Sequence, residues 1–431
     1  MSEKQFISHM LNLSEDEVES VSSIRQSDES VVIRVKLKVS NTSCPICGAS
    51  VKVHGYLNRK IKHSTLINRN CTLYYQQRRF ICRNCDSTFC ETNPFTDNRE
   101  RLTYETKINI LILLKHVETT YTFVAQQCNV GKTTVMRLFD NHVNIPRKKL
   151  TQAISIDEHY FPKSDYDSLY LLLIMDFKTG NILDVLPSRR KDYVTRYFSD
   201  IKAETYDYGT HLSELNNVKY ISIDLYDNYR DIAKAYFPQA IISADSFHVL
   251  RHLTEAFKKI RLKCKNETED NTLKYLLVKY SAVFNHNQNL DTPKRYLKAL
   301  GRYANLRDIR DYLFGKFPIL EVAYNLKEDY IRFNEKDNIE SAAKDFDAVR
   351  QKFGDCGIDE FECFYNLLGN WKQEIINSFV LIDGKRINNS YIESKNRLIG
   401  KLITNANGFT DFKRTRSRIM YCLNKDDTYT I

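Results

Sequence analysis

Ile154-Ser155-Ile156-Asp157 and Ile221-Ser222-Ile223-Asp224 are the stretches on which the fold of this chain turns. Each is a short apolar run that closes on an aspartate. β-Branched runs of this length, bounded by turn residues, read as strands. Working outward, strands are expected over 153–160, 168–176 and 181–187, the last two joined by a turn at Lys178-Thr179-Gly180. A helix follows over 193–201, a strand over 218–225, a helix over 229–237 and a strand over 240–246, with helix again from Val249. A carboxylate at the end of an apolar strand in mid-sheet is costly unless something cationic pairs with it. Neighbouring strands lie ~4.8 Å apart, so Asp157 and Asp224 on adjacent strands could share a divalent metal ion.

Three meandering strands, then helix, strand, helix, strand, is the order of a ribonuclease-H-like sheet, whose first and fourth strands lie side by side at the centre. The expected fold class of the whole chain is multidomain α+β. It comprises an N-terminal zinc ribbon, a helix-turn-helix, and a ribonuclease-H-like α/β domain with an all-α insertion. The expected boundaries are 1–40 for an N-terminal segment, 41–95 for the ribbon and 96–148 for the helix-turn-helix. The ribonuclease-H-like domain takes 149–254 and 385–431, and the insertion 255–384. The insertion shows helical periodicity over 275–284, 296–306 and 320–333 and no strand pattern.

Before this domain stand Cys44-Pro45-Ile46-Cys47-Gly48 and Cys82-Arg83-Asn84-Cys85. A CxxC turn lets two sulfurs reach one ion, and four thiolates complete a tetrahedral structural zinc site, so one Zn²⁺ is expected on Cys44, Cys47, Cys82 and Cys85. Gly48 would supply the positive φ such a turn needs. The alternating segment between the knuckles suits the strands of a ribbon, with Cys71 and Cys90 as core residues and His54 and His63 on its surface. Residues 1–40 offer a helix over 3–13 and a strand over 30–39, with no legible role.

A buried stripe of Ile108, Leu111, Leu113 and Leu114 opens a helical region. Within it, Ala125 allows close helix approach, Asn129 and Gly131 make a short turn, and a second helix begins at Lys132. This is helix-turn-helix spacing, in which Lys132, Thr133, Thr134 and Arg137 would face a major groove. The formal net charge is +10, and it is unevenly placed: −2 over residues 1–50, +10 over 51–150 and +2 over the remainder. Such a concentrated excess is what neutralising phosphates requires.

A third carboxylate is available in the C-terminal helical stretch 388–424, which turns at Asn407-Gly408. Its candidate is Glu393, on a helix that buries Tyr391, Ile392, Leu398 and Ile399 and leaves Glu393, Asn396 and Arg397 toward the polar side. This stretch is basic, and Lys395, Arg397 and Lys401 are candidate DNA contacts. The start MSEKQF has no apolar core of a secretory signal, and the apolar runs fall far short of the ~20 residues of a membrane span. A cytoplasmic protein without membrane association is expected. Eleven cysteines in such a protein point to metal binding or plain burial rather than disulfides.

From about residue 40 onward the chain resembles the ISL3 family of bacterial insertion-sequence transposases. The resemblance rests on the paired CxxC motifs, the helix-turn-helix, Ile156-Asp157-Glu158 and the D-x-Y-x-x-Y-R stretch at 224–230. It continues through ADSFH at 244–248, NLKEDY at 325–330, WKQEIINSF at 371–379 and the block from Ile392 to Ile419. It implies a DDE triad of Asp157, Asp224 and Glu393, holding two Mg²⁺ or Mn²⁺ ions for DNA cleavage and strand transfer. It implies double-stranded DNA as partner, both as element ends and as target, a homodimer or larger assembly on DNA, and a nucleoid-associated protein. Related transposases carry a C/D-x-x-H signature, which here gives Asp245 and His248 an accessory role, Asp245 lying roughly 10 Å from Asp157 across two strand spacings. Asn388-Asn389-Ser390 and Glu393-Ser394-Lys395-Asn396-Arg397 depart from the family pattern around the glutamate. Two other functions fit parts of the sequence. A non-catalytic repressor or domesticated transposase would keep the ribbon and helix-turn-helix, and an RNA-directed nuclease would keep the sheet.

Overall fold

The computed structural model describes residues 3–40, 43–66, 69–97, 100–161, 168–387, 390–406 and 411–431. The chain forms two units, Met1–Pro146 with Leu398–Ile431, and Arg147–Arg397. The expected features at Asn388-Asn389 and the turn at Asn407-Gly408 fall outside the described residues.

The first unit begins with helix α1 (Glu3–Met10) and strands β1 (Val18–Arg25), β2 (Val31–Leu37), β3 (Val51–Leu66), β4 (Arg69–Cys82) and β5 (Thr88–Cys90). They form one sheet in the order β1-β2-β4-β3, with β5 also on β4. The N-terminal segment is thus part of the ribbon's sheet. β1, which the sequence pattern did not reveal, pairs with β2, and β2 runs parallel to β4 with Val31 opposite Cys71. Side chains alternate along β4, so Cys71, Leu73 and Tyr75 share a core with Ile33, Val35, Ile61, Phe95 and, from α1, Ile7.

Three contrasts with the expected ribbon follow. Cys90 is exposed, because its place at the end of β5 turns it away from that core. His63 is buried and bonds through Nδ1 to Thr103 Oγ1 at 3.0 Å, whereas His54 is exposed as expected. Arg78 carries a fully buried guanidinium that pairs with Glu91 at 3.2 Å and with Glu19 of β1. Glu91 also accepts from Tyr75 Oη at 2.8 Å and from the Arg78 amide at 2.8 Å. A buried charge is tolerable only when matched and hydrogen-bonded in this way.

Helices α2 (Tyr104–Leu114), α3 (Tyr121–Gln127) and α4 (Lys132–His142) follow. Thr103 and Thr120 cap the first two, accepting from the amides of Thr106 and Phe123. The link between α3 and α4 is short, with Asn129 at φ +50°. Helix α14 (Ser390–Asn405) spans the point in the sequence where the division falls, and α15 (Phe412–Leu423) lies in the first unit. Tyr421 of α15 stands edge-on to Phe139 at 5.8 Å and donates to Leu111 O at 2.9 Å. Arg418 is buried and donates to His116 O at 3.1 Å and Thr119 O at 2.9 Å, beyond the end of α2. Residues 398–431, expected beside the ribonuclease-H-like strands, therefore complete the three-helix core instead.

The second unit contains β6 (Ala153–Tyr160), β7 (Tyr170–Asp176), β8 (Ile182–Leu186), α5 (Lys191–Glu204), β9 (Tyr220–Ile223), α6 (Asp227–Tyr236), β10 (Ile241–Ala244) and α7 (Ser246–Glu267). The sheet order is β10-β9-β6-β7-β8. β6, β9 and β10 are mutually parallel and β7 and β8 antiparallel, so the first and fourth strands are neighbours, as the element order predicts.

Beyond α7 come α8 (Asn271–Lys279), β11 (Arg295–Leu297), β12 (Arg302–Ala304), α9 (Leu306–Lys316), α10 (Pro318–Asn334), α11 (Ile339–Asp355), α12 (Glu362–Asn370) and α13 (Lys372–Asn377). A second small hairpin, β13 (Leu381–Ile382) with β14 (Lys385–Arg386), precedes α14. The insertion is therefore not all-α. Residues expected to be helical over 296–306 form the hairpin β11–β12, because Gly301 takes a left-handed turn at φ +62° and reverses the chain.

The Arg418 contacts generate a test. Replacing Arg418 with Met removes the buried guanidinium that bridges His116 O and Thr119 O and should cost about 1.5–3 kcal/mol. Urea unfolding of the full chain should show that loss, while Tyr421→Phe, which removes one hydrogen bond, should cost about 1 kcal/mol.

Candidate functional site

The two CxxC turns come together at the base of the β3–β4 hairpin. Sγ–Sγ separations are 3.7 Å for Cys44–Cys85, 3.5 Å for Cys47–Cys82 and 3.6 Å for Cys47–Cys85. Four sulfurs at ~2.3 Å from one zinc would stand ~3.8 Å apart, and a disulfide would need ~2.0 Å. The cluster therefore fits a tetrahedral ion. Gly48 takes φ +73°, and Asp86 takes the matching left-handed position, φ +53°, after the second knuckle. Ser87 and the amides of the first turn lower the Cys44 thiol, whereas Cys82, despite the Cys85 amide, is raised by burial and by Cys47.

The second site grows from strand register. β6 and β9 pair with Ile156 opposite Ile223, and β9 and β10 with Ile223 opposite Ala244. The next residues are Asp157, Asp224 and Asp245, so three carboxylates stand side by side. β6 continues to Tyr160 with only β7 beside it, so Asp157 lies within its strand rather than at its end. Asp245 caps α7, accepting from Phe247 N at 3.4 Å. One turn on, His248 Nε2 lies 3.3 Å from Asp224 Oδ1 and 3.9 Å from Asp245 Oδ2. Ligand atoms of Asp157, Asp224 and His248 all fall within 4.8 Å of one another, a metal-sized cluster.

Helix α14 brings the remaining groups. Asn396 Nδ2 donates to Asp157 Oδ2 at 2.7 Å and to Glu158 O at 3.2 Å. Glu393, three residues earlier and on the same helix face, adds its charge to those acting on Asp157. The contact of Asn396 with Asp157 was not assigned from sequence, because the two residues stand 239 positions apart. Glu158 is also held: Tyr229 Oη donates to it at 2.9 Å and Arg189 forms an ion pair with it.

Burial pushes Asp157 up to about 6, while its neighbours Glu158 and Glu393 add to the rise. Burial pushes Asp224 further, to about 10, with the charge of Asp157 next in importance. Burial, with Arg251 and His252 nearby, lowers His248 to about 4, which leaves its imidazole neutral. Without a cation, Asp157 and Asp224 cannot both ionise and titrate as a pair. Buried carboxylates, a neutral imidazole and a carboxamide form a donor set suited to a divalent ion.

Of the candidate DNA contacts, Lys132, Thr133 and Arg137 are exposed on α4 and Thr134 is half-buried there. On α14, Arg397 and Lys401 are exposed and Lys395 is half-buried. No helix among the described residues is long and apolar enough to cross a membrane.

Known families resolve the class. Residues 154–419 match the family profile described as "Transposase", that of the ISL3 DDE group. Residues 40–85 match "zinc-finger of transposase IS204/IS1001/IS1096/IS1165". The first match spans more than half of the chain and contains both aspartates, Glu393 and Asn396. The chain belongs to the ISL3 family of DDE transposases. No curated protein matches it at a significant level.

Two outcomes are expected. Metal analysis of the purified chain should find one zinc, and Cys82→Ser should remove it and destabilise the ribbon. The carboxylate pair should impose a pH dependence on the metal-free protein. Aspartates whose values rise on folding stabilise only while protonated. Their contribution is complete below about pH 4 and is lost as pH climbs through about 6 for Asp157 and about 10 for Asp224. In EDTA, Asp224→Asn should therefore melt higher than wild type at pH 8, and the gap should close toward pH 4. Mg²⁺ should raise the wild-type melting temperature and leave that of the variant nearly unchanged.

Proposed function

We propose that the chain binds the terminal inverted repeats of its insertion sequence and catalyses metal-dependent cleavage and strand transfer at their ends. The observation that carries this reading is the parallel register that sets Asp157 beside Asp224, with α14 supplying Glu393 and Asn396. The sheet order β10-β9-β6-β7-β8 supports a ribonuclease-H-like domain around them. In this reading Asp157, Asp224 and Glu393 hold two Mg²⁺ or Mn²⁺ ions. Bound there, such ions activate a water or a 3′-hydroxyl and neutralise charge during in-line phosphoryl displacement. Asn396 fixes the Asp157 carboxylate through Oδ2, while the Glu158 amide donates to Oδ1 at 2.6 Å, so both oxygens are oriented. Tyr229 and Arg189 hold Glu158 as a support beside the site. Asp245 and His248 are accessory, His248 orienting the Asp224 carboxylate.

α3, the short turn and α4 serve as a helix-turn-helix, with Lys132, Thr133, Thr134 and Arg137 toward the major groove of the element ends. Lys395, Arg397 and Lys401 contact DNA from α14. An element has two ends, so two or more copies of the chain act together on DNA.

Supercoiled plasmid carrying the cognate ends, incubated with Mg²⁺, tests the chemistry. Asp157→Asn, Asp224→Asn and Glu393→Gln should each abolish cleavage and leave end binding intact. Asp245→Asn should give only a partial defect. A dead Asp245→Asn beside an active Asp224→Asn would put the second ligand on β10 instead of β9. The binding measurements need the whole chain, since a 1–150 fragment would lack the α15 contacts to Phe139 and Leu111.

A further inference from the structure

The hairpin β11–β12 has two unlike faces. Leu297 and Ala304, with Ala299 and Leu300 of the turn, pack against the core of their unit. Tyr296 and Tyr303 are directly opposite each other on the other face. Their rings meet edge-to-face at 5.5 Å, yet they remain 57% and 68% exposed. Leaving two large aromatics this exposed forgoes apolar burial that a single ring contact offsets only in part.

The charges carried by the hairpin itself are of one sign. No acidic residue occurs between Thr292 and Arg307. Arg295, Lys298 and Arg302 are exposed. Lys294 pairs with Asp308 and Arg307 with Asp291, whereas no ion pair of Arg295, Lys298 or Arg302 occurs among the described residues. An exposed aromatic pair on a hairpin that also carries the exposed cations Arg295, Lys298 and Arg302, the last of which lies over the Tyr312 ring at 5.9 Å, matches the chemistry of a nucleic acid with open bases. Base faces stack on the rings while cations hold the backbone. An intact duplex hides its base faces and leaves the tyrosines unused.

We propose that β11–β12 is a binding site for unpaired DNA, with Tyr296 and Tyr303 stacking on bases and Arg295, Lys298 and Arg302 holding the flanking phosphates. The choice of DNA rests on the transposase reading above, in which cleavage frees strand ends whose last bases can open.

The test uses the full-length chain and a fluorescent thymidine oligonucleotide of about 20 nucleotides, with excess unlabelled duplex present to occupy other DNA-binding surfaces. Tyr296→Ala with Tyr303→Ala should weaken binding on the order of tenfold or more. Tyr296→Phe with Tyr303→Phe should stay within about twofold of wild type, because stacking needs the ring and not the hydroxyl. Arg295→Gln, Lys298→Gln and Arg302→Gln together should reduce the slope of log affinity against log salt by about 2. Photo-crosslinking to an iodouracil-containing oligonucleotide should place adducts on Tyr296 or Tyr303. Unchanged affinity in the alanine pair, loss of binding in the phenylalanine pair, or adducts confined to other segments would each overturn the proposal. Neither readout requires cleavage, so failure here with normal plasmid cleavage removes the hairpin alone. Binding here without plasmid cleavage removes the catalytic reading alone.

Discussion

Three buried carboxylates in a row across parallel strands are the constraint around which the second unit is arranged. Parallel pairing without a bulge leaves no choice. If Ile156 faces Ile223 and Ile223 faces Ala244, the following aspartates must stand abreast. At strand spacings of ~4.8 Å their repulsion is strong and little water relieves it. Each is met by a different compensating group. Asp157 receives the carboxamide of Asn396, Asp224 lies against His248, and Asp245 sits at the amide end of α7. These groups lessen the repulsion without removing it, as the raised values of Asp157 and Asp224 record. A cluster that remains short of positive charge after such attention is one built to take cations.

Much of the surrounding sequence serves to hold that row in place. Arg230, at the end of the stretch that begins with Asp224, stacks on Trp371 at 4.2 Å and donates to Asn370 O at 2.7 Å. Asn377 reaches back to donate to Ile242 O of β10 at 2.8 Å. Further out, Lys327 and Glu328 form a buried ion pair, and His286 bonds to Glu328 at 2.6 Å. The segments 224–230 and 371–379, which carry the family resemblance, thus clamp the insertion to the sheet, while 325–330 ties the insertion to itself.

Local patterns were legible and distant partnerships were not. The strands around Asp157 and Asp224 could be read because β-branched runs and turn residues are neighbours in sequence. The CxxC pairs could be read because two knuckles at one spacing imply a common ion. Nothing local announces that Asn396 will meet Asp157, or that α15 will close the core over Phe139, since those contacts join residues hundreds of positions apart. Residues 296–306 misled for another reason. Tyr296, Leu297, Ala299, Leu300 and Tyr303 satisfy a helical period, and only the left-handed Gly301 decides for a hairpin. His63 defied its polarity because Thr103, the cap of α2, gives its ring a buried partner.

The interrupted first unit has a consequence for synthesis. Its helices α2 to α4 are made early, but Tyr421 and Arg418, which seal them, emerge only after the whole of residues 147–397. Until α15 is made, the helices around Leu111 and Phe139 keep an apolar face uncovered. A chain cut between α14 and α15 would keep the residues of the carboxylate cluster but lack the partners that finish the three-helix core.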